Sequence, residues 1–319
     1  MVCFFVKDPI RVIEDKLRLL GLAKPSLTPK QAVQATSQGL RFYRAVCEDV
    51  NGRKVFFKCL LVRERGIKNR FLNEIGFLKT VSEHPGHPLF EMVPKVFDYS
   101  LSPTFPYIVC EFIRGASRVS EDRFSNSEIV KIARILRTIH TSPFHIFRFI
   151  PSSPLFGYHF LQQRLKTFLR NPLVESKLKE KTKKFICKER RILRNRKRIV
   201  KLTHGDFSEA NLMFYKEDIK VIDWEHVHLR NPLYDLADFW IKRKNHREEQ
   251  RLLVKEYFKG ISKESYQALF RLAVVEICLR DLVFFWKILK LPRGKEFKEK
   301  MQNEARAYIA ILEDTLREK

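Results

Sequence analysis

The chain reads as an α+β protein in two parts, a small sheet-rich N-terminal part over residues 1–113 and a larger, mostly helical part over residues 114–319. Three observations predict this. Four short strand-like runs fall before Gly115, separated by turn signals. After Gly115 the apolar spacing becomes helical almost throughout. At 45% hydrophobic with 27 Phe among 319 residues, the chain can build a sizeable core and is too apolar for disorder.

Each element has its own signal. Residues 9–22 carry Ile10, Val12, Ile13, Leu17, Leu19 and Leu20 close to helical spacing, and Gly21 and Pro25 stop that helix. Residues 39–46 and 55–62 read as strands around Asn51-Gly52, the strongest short hairpin signal. A helix follows over 71–80, then strands over 93–99 and 107–113 split by a loop containing Pro103 and Pro106. Residues 127–140 form an amphipathic helix with Ser125 or Ser127 as its cap. Residues 161–200 read as helical and hold 15 Lys or Arg against 3 Glu. Two short strand-like pieces, 211–215 and 219–223, flank a Lys-Glu-Asp turn, and helices run from there to the end.

Charge and cysteine usage narrow the context. The 62 Lys and Arg exceed 37 Asp and Glu by 25, which points toward anionic partners such as phosphate esters, nucleic acid or an anionic membrane face. The apolar stretch 272–291 carries Glu276, Arg280, Asp281 and Lys287, so it reads as a buried helix rather than a membrane span. The start lacks a signal-peptide core, and no cysteine pair has C-x-x-C spacing. A cytoplasmic protein with reduced thiols is the expectation. His84-Pro85-Gly86-His87 reads as a surface turn, and Trp240 with Phe284-Phe285-Trp286 as helical core.

One constellation carries chemistry. His204-Gly205-Asp206-Phe207-Ser208-Glu209-Ala210-Asn211 is followed by Ile222-Asp223-Trp224-Glu225. A tight turn pairing the two strand-like pieces brings Asn211 and Asp223 to the same end of a ribbon, with Asp206 near. Converging carboxylate and amide oxygens suit Mg²⁺, which is completed by substrate phosphates.

The pattern H-G-D-x-x-x-x-N followed by I-D-W-E resembles the aminoglycoside phosphotransferase and choline kinase family, relatives of the protein kinases. The resemblance covers roughly residues 35–240 and implies a two-lobed protein-kinase-like fold, with a nucleotide-binding lobe over 1–113 and a catalytic, acceptor-binding lobe over 114–319. It implies ATP and Mg²⁺ as cofactors, Asp206 as the catalytic base, and Asn211 and Asp223 as metal ligands. His204 is implied to be structural, and Asp235, in Asn231-Pro232-Leu233-Tyr234-Asp235-Leu236-Ala237, to buttress the loop. Lys58 inside Val55-Phe56-Phe57-Lys58-Cys59-Leu60 and Glu74 on the next helix resemble the kinase lysine–glutamate pair that holds the phosphates. Tyr107 to Phe112 resembles the hinge, where the Cys110 carbonyl and the Phe112 amide meet the adenine edge. Gly115 and His140 also fit the family pattern. Two features depart from protein kinases: Ser37-Gln38-Gly39-Leu40 has a single glycine in the phosphate loop, and neither D-F-G nor A-P-E is present.

The expected function is transfer of a γ-phosphoryl group to a hydroxyl on a small molecule or glycan. The positive charge of 161–200 favours an anionic or neutral acceptor over a cationic one. Two alternatives stand beside this reading. One is a non-catalytic kinase-fold protein that binds RNA or an anionic membrane through its basic surface. The other is a kinase of a lipopolysaccharide-type sugar, sharing the mechanism and differing in the acceptor.

Overall fold

The computed structural model describes residues 9–23, 33–36, 39–62, 64–118, 122–147, 150, 158–189, 200–261 and 264–317. Its α+β architecture is the expected one, a small antiparallel sheet followed by many helices. Two compact units are present. One gathers Met1–Val119, Ser142–Ile150 and Glu209–Val227, and the other Ser120–Thr141, Pro151–Ser208 and His228–Lys319. Where the sequence suggests one cut after residue 113, the units therefore interleave.

The first unit is built on strands β1 (Val33–Thr36), β2 (Gly39–Glu48), β3 (Lys54–Leu60), β4 (Val96–Ser100) and β5 (Tyr107–Glu111), in the order β1-β2-β3-β5-β4 and all antiparallel. The β2–β3 hairpin closes at Asn51-Gly52 as its sequence demands. Gly52 takes a φ of +73°, and the Asp49 carboxylate accepts the backbone N–H of both Asn51 and Arg53. Alternation along β3 sorts its side chains: Val55, Phe57 and Cys59 are buried on one face, where helix α1 (Pro9–Leu19) adds Ile13 and Leu17. Helix α2 (Arg65–Ser82) buries the stripe Ile67, Phe71, Glu74, Leu78 and Val81, and is longer at both ends than the 71–80 read from sequence.

Hairpin β7 (Leu212–Tyr215) and β8 (Asp218–Val221) joins this unit by specific bonds. Ala116 and Phe214 exchange both backbone hydrogen bonds, Val221 N–H donates to the Met92 carbonyl, and Lys220 donates to Glu111 at 2.7 Å. Gly115 is required here: its φ is +153°, and a Cβ would lie 2.4 Å from the Phe214 carbonyl oxygen. His87 corrects the surface-turn expectation. It is buried, its Nε2 contacts the Pro143 carbonyl, and its ring meets Phe147 edge-on.

The second unit holds α3 (Asn126–Thr141), α4 (Tyr158–Leu169), α5 (Ser176–Glu189), α6 (Leu233–Lys242), α7 (Arg247–Tyr257), α8 (Glu264–Leu289) and α9 (Lys295–Arg317), with a small ribbon of β6 (Lys201–Thr203) and β9 (His228–Arg230). Ser125 caps α3 in a reciprocal box: its hydroxyl accepts the Glu128 N–H while Glu128 accepts the Ser125 N–H at 2.7 Å. The basic stretch is helical as read, in two helices separated at Asn171-Pro172, where the proline removes a backbone donor; residues 190–199 lie outside the described residues. Buried residues dominate α8 from Leu272 to Leu279, with Glu276 half-buried among them, so the buried-helix expectation for 272–291 holds for that part of the stretch, and its far end is exposed. No helix among the described residues is long and apolar enough to cross a membrane, and the five described cysteines are unbridged.

Candidate active site

In the first unit the chemistry gathers around Lys58. Its place on β3 points it away from α1 and toward α2, with its ammonium 4.6 Å from the Phe42 ring centre and 5.4 Å from that of Phe71. The lysine is buried, and its Nζ donates to Glu74 Oε2 at 2.7 Å and to Asp223 Oδ1 at 2.8 Å. Burial opposes the ammonium charge, but Asp223 and Glu74 outweigh it and hold Lys58 above the ordinary lysine range. Burial raises the Glu74 carboxyl, Lys58 opposes that rise, and Asp223 adds to it. One cation thus serves two carboxylates.

Asp223 is aimed by its backbone. It sits in the left-handed region at φ +62°, a conformation uncommon outside glycine and tolerated by Asp. The following one-turn helix, Trp224–His226, is anchored by Trp224, whose buried ring stacks on Phe77 at 4.3 Å and whose Nε1 donates to the Val221 carbonyl. The hairpin register pairs Leu212 with Val221, and Ile222 N–H donates to the Asn211 carbonyl, so Asn211 and Asp223 stand at one end of the ribbon as expected. Asn211 itself ends a one-turn 3-10 helix, Glu209–Asn211, rather than opening the strand.

Lys58, Glu74, Cys110, Phe112, Asn211 and Asp223 all line one cavity of about 380 Å³. Its remaining walls are largely apolar, with Val46, Phe56, Leu78, Ile108, Met213 and Ile222. Cys110 contributes as a neutral wall, since burial pushes its thiol up to about 12. Sequence reasoning missed Arg44. It stands opposite Lys58 in the β2–β3 register, lines the same cavity, and puts Nη2 at 3.6 Å from Asp223 Oδ2. Its Nε is buried with no hydrogen-bond partner among the described residues. An arginine inside an apolar strand of the predicted hairpin was the available signal. Of the single-glycine segment Ser37-Gln38-Gly39-Leu40, Ser37 and Gln38 lie outside the described residues, and Gly39 and Leu40 begin β2.

The second unit holds the His204–Asp206 loop. Buried Asp235 accepts the backbone N–H of His204 at 2.7 Å and of Gly205 at 2.9 Å, the buttress expected from its motif. His140 Nε2 meets the same carboxylate at 3.3 Å and its Nδ1 meets the Tyr257 hydroxyl at 2.8 Å. Burial alone would raise Asp235; hydrogen bonding to His140 and the charges of His140 and Arg230 outweigh it and hold the pKa below the ordinary range. Gly205 turns the loop at φ +88°, and its carbonyl accepts Arg230. Asp206 N–H donates to Nδ1 of buried His204, which ties the histidine to the loop. The Asp206 side chain is half exposed and faces Lys242 at 3.7 Å.

Lys242 belongs to a chain of charges that the sequence reading did not contain. It donates to Asp238 at 2.9 Å, and Asp238 also accepts Arg280 at 3.0 Å. The i,i+4 spacing of Asp238 and Lys242 on α6 was the signal. Burial raises the Asp238 carboxyl, but Lys242 and Arg280 outweigh it and set its pKa at about 2. Because the folded value lies below the ordinary aspartate value, the folded state binds fewer protons and gains stability with rising pH. That gain, ~2–3 kcal/mol, is complete above about pH 4 and is lost as pH falls to about 2. Urea unfolding across this range should show the loss in the parent and a flatter profile in Asp238→Asn.

The fold and these two residue sets define a kinase-like phosphotransferase class. The family model described as phosphotransferase enzyme family matches residues 46–271, and the chain belongs to that family. A choline/ethanolamine kinase family protein from Mesorhizobium loti is similar in structure, with a TM-score of 0.60, 16% identity, and coverage of 96% of this chain and 95% of that one. An amicoumacin kinase solved in complex with AMP-PNP, Ca²⁺ and Ami has a TM-score of 0.61 at 15% identity, covering 97% of this chain and 94% of that one. Protein LicA of Haemophilus influenzae is 26% identical over 124 residues, which is 38% of this chain and 46% of LicA, so the match spans under half of that relative.

Proposed function

We propose that this chain is an ATP- and Mg²⁺-dependent phosphotransferase that moves the γ-phosphoryl group onto a hydroxyl of a small molecule or glycan. The observation that carries the reading is Lys58, a buried ammonium fixed by Glu74 and Asp223 in the wall of a largely apolar cavity. A charged donor held rigid and dry is a ready phosphate ligand, and Arg44 extends the positive wall. The apolar walls suit a planar base, with the Cys110 carbonyl and Phe112 amide as its edge partners.

The donor set fits Mg²⁺. Among the described residues no group of three or more His, Cys, Asp or Glu gathers, whereas Asn211 and Asp223 offer one amide oxygen and one carboxylate beside a phosphate-binding lysine. Mg²⁺ takes one or two carboxylates and completes its shell with phosphate and water. When bound, it neutralises phosphate charge. Asp206 takes the hydroxyl proton, with the loop that carries it held by Asp235. The AMP-PNP bound by the amicoumacin kinase supports nucleotide use. Residues 1–113 with the β7–β8 hairpin form the nucleotide side, and the helical part forms the acceptor side. A net charge of +25 and the exposed lysines of α5 favour a neutral or anionic acceptor over a cation such as choline.

Asp223→Ala tests the assignment. Calorimetry should show Mg·ATP binding weakened markedly, with metal-free nucleotide binding changed little. Equal Mg·ATP affinity in variant and parent would remove Asp223 from the metal site.

A further inference from the structure

The α8–α9 hairpin ends in a tip that exposes apolar and basic side chains together. Its two helices run antiparallel, fastened by Arg271 donating to the Thr315 carbonyl at one end and by Phe285 packing edge-on against Tyr308 nearer the turn. Beyond these contacts the tip, residues 284–300, leaves large apolar side chains in solvent. Phe284 is 51% exposed, Leu291 43% and Phe297 36%. This corrects the helical-core expectation for 284–286, of which Phe285 alone is buried. Phe284 and Ile288, four residues apart, share a face at the end of α8, and Leu291 follows in the turn beyond it, its N–H donating to the Ile288 carbonyl.

Around these side chains stand Lys287, Lys290, Arg293, Lys295, Lys298 and Lys300, against Glu296 and Glu299. Two of the cations lie over aromatic rings, Lys290 at 4.4 Å from Trp286 and Arg293 at 5.8 Å from Phe297. The α4–α5 turn is tied beside the tip by Asn171 Nδ2 donating to the Leu282 carbonyl, and exposed Arg170 and Lys177 flank that turn. Positive charge therefore continues from the tip onto the neighbouring helices.

We propose that the α8–α9 tip is a docking site for an anionic lipid bilayer surface. Charge selects the occupant: a ring of lysine and arginine requires an anionic face. The apolar patch selects among anionic faces. Ile288 and Leu291 offer a nucleic-acid base no planar surface to stack on, whereas Phe, Trp and Leu bounded by long basic side chains are what the headgroup–acyl boundary accepts. The tip carries this surface whatever acceptor the phosphotransferase uses, and it brings the chain to a membrane face independently of Lys58, Asp206 and Asp223.

The test uses the full chain with vesicles of phosphatidylcholine alone and of phosphatidylcholine mixed with phosphatidylglycerol. Co-sedimentation is expected with the mixed vesicles at low salt, with little on phosphatidylcholine alone. Trp286 emission should shift to the blue on binding, and the shift should vanish in Trp286→Phe. Combined Phe284→Ser, Leu291→Ser and Phe297→Ser should weaken vesicle binding by roughly tenfold or more, with an unchanged circular-dichroism spectrum as the control for folding. Combined Lys287→Gln, Lys290→Gln and Arg293→Gln should reduce the salt dependence. The proposal is overturned if mixed vesicles do not bind at low salt, or if the triple serine variant binds them as the parent does. It is equally overturned if that variant abolishes a dimer seen by analytical ultracentrifugation, which would make a second copy the occupant, or if poly(U) binding is tighter than vesicle binding and is lost in the same variant.

Discussion

Replacing Asp206 with asparagine is expected to cut turnover by roughly 10²–10⁴ while nucleotide affinity changes by no more than a few-fold. The loop that carries it is held through backbone groups, by Asp235 on the His204 and Gly205 N–H and by His204 on the Asp206 N–H, and none of these bonds uses the Asp206 carboxylate. Asparagine keeps the shape of the half-exposed side chain and removes its charge, and with it the capacity to take a proton and the ion pair with Lys242. Steady-state kinetics on the best acceptor, with the melting temperature as a control for folding, measures the effect. Near-native turnover would take the base role from Asp206.

The second large effect is expected at Lys58, on stability as well as on nucleotide binding. Methionine retains the apolar stem between Phe42 and Phe71 and deletes the ammonium, leaving Glu74 buried without its cation. Breaking a buried pair in this way costs about 3–5 kcal/mol. The cost should depend on pH in a definite direction. Burial makes folded Glu74 hold its proton above the ordinary glutamate range, so the folded state binds more protons than the unfolded chain, and stability falls as pH rises through that range and up to the folded value. Adding Glu74→Gln to Lys58→Met removes the buried charge and should restore most of the stability without restoring Mg·ATP binding. A double variant as unstable as the single one would show that Glu74 is not the group left uncompensated.

Much of this site is legible in the residues themselves, because its parts follow local rules. Asn51-Gly52 sets the hairpin, the hairpin fixes the face of β3 on which Lys58 lies, and a helical stripe places Glu74 among Phe71, Ile75 and Leu78. The Asp235 buttress is likewise contained in a short motif. What escapes the sequence depends on contacts between distant segments. The three-residue strands β6 and β9 are too short to show a period and exist only as each other's partners. Arg44 gains its meaning from the register that sets it opposite Lys58, and Lys242 from its approach to Asp206. His87 looks exposed in a Pro-Gly turn until Pro143 and Phe147 cover it. Phe284 looks like core because it follows a largely apolar run in α8, yet α9 covers only part of that helix.

The central claim is phosphoryl transfer from ATP to a hydroxyl, and an acceptor screen tests it most directly. The parent and Asp206→Asn are incubated with Mg·ATP and panels of sugars, sugar phosphates, amino alcohols and aminoglycosides. ADP release and the mass of the acceptor are followed together. A neutral or anionic hydroxyl compound is expected to gain one phosphoryl group in step with ADP release, omission of Mg²⁺ to stop the reaction, and Asp206→Asn all but to abolish it. Acceptor phosphorylation that proceeds equally in Asp206→Asn, or tight Mg·ATP binding with no phosphorylated product from any panel, would contradict the claim.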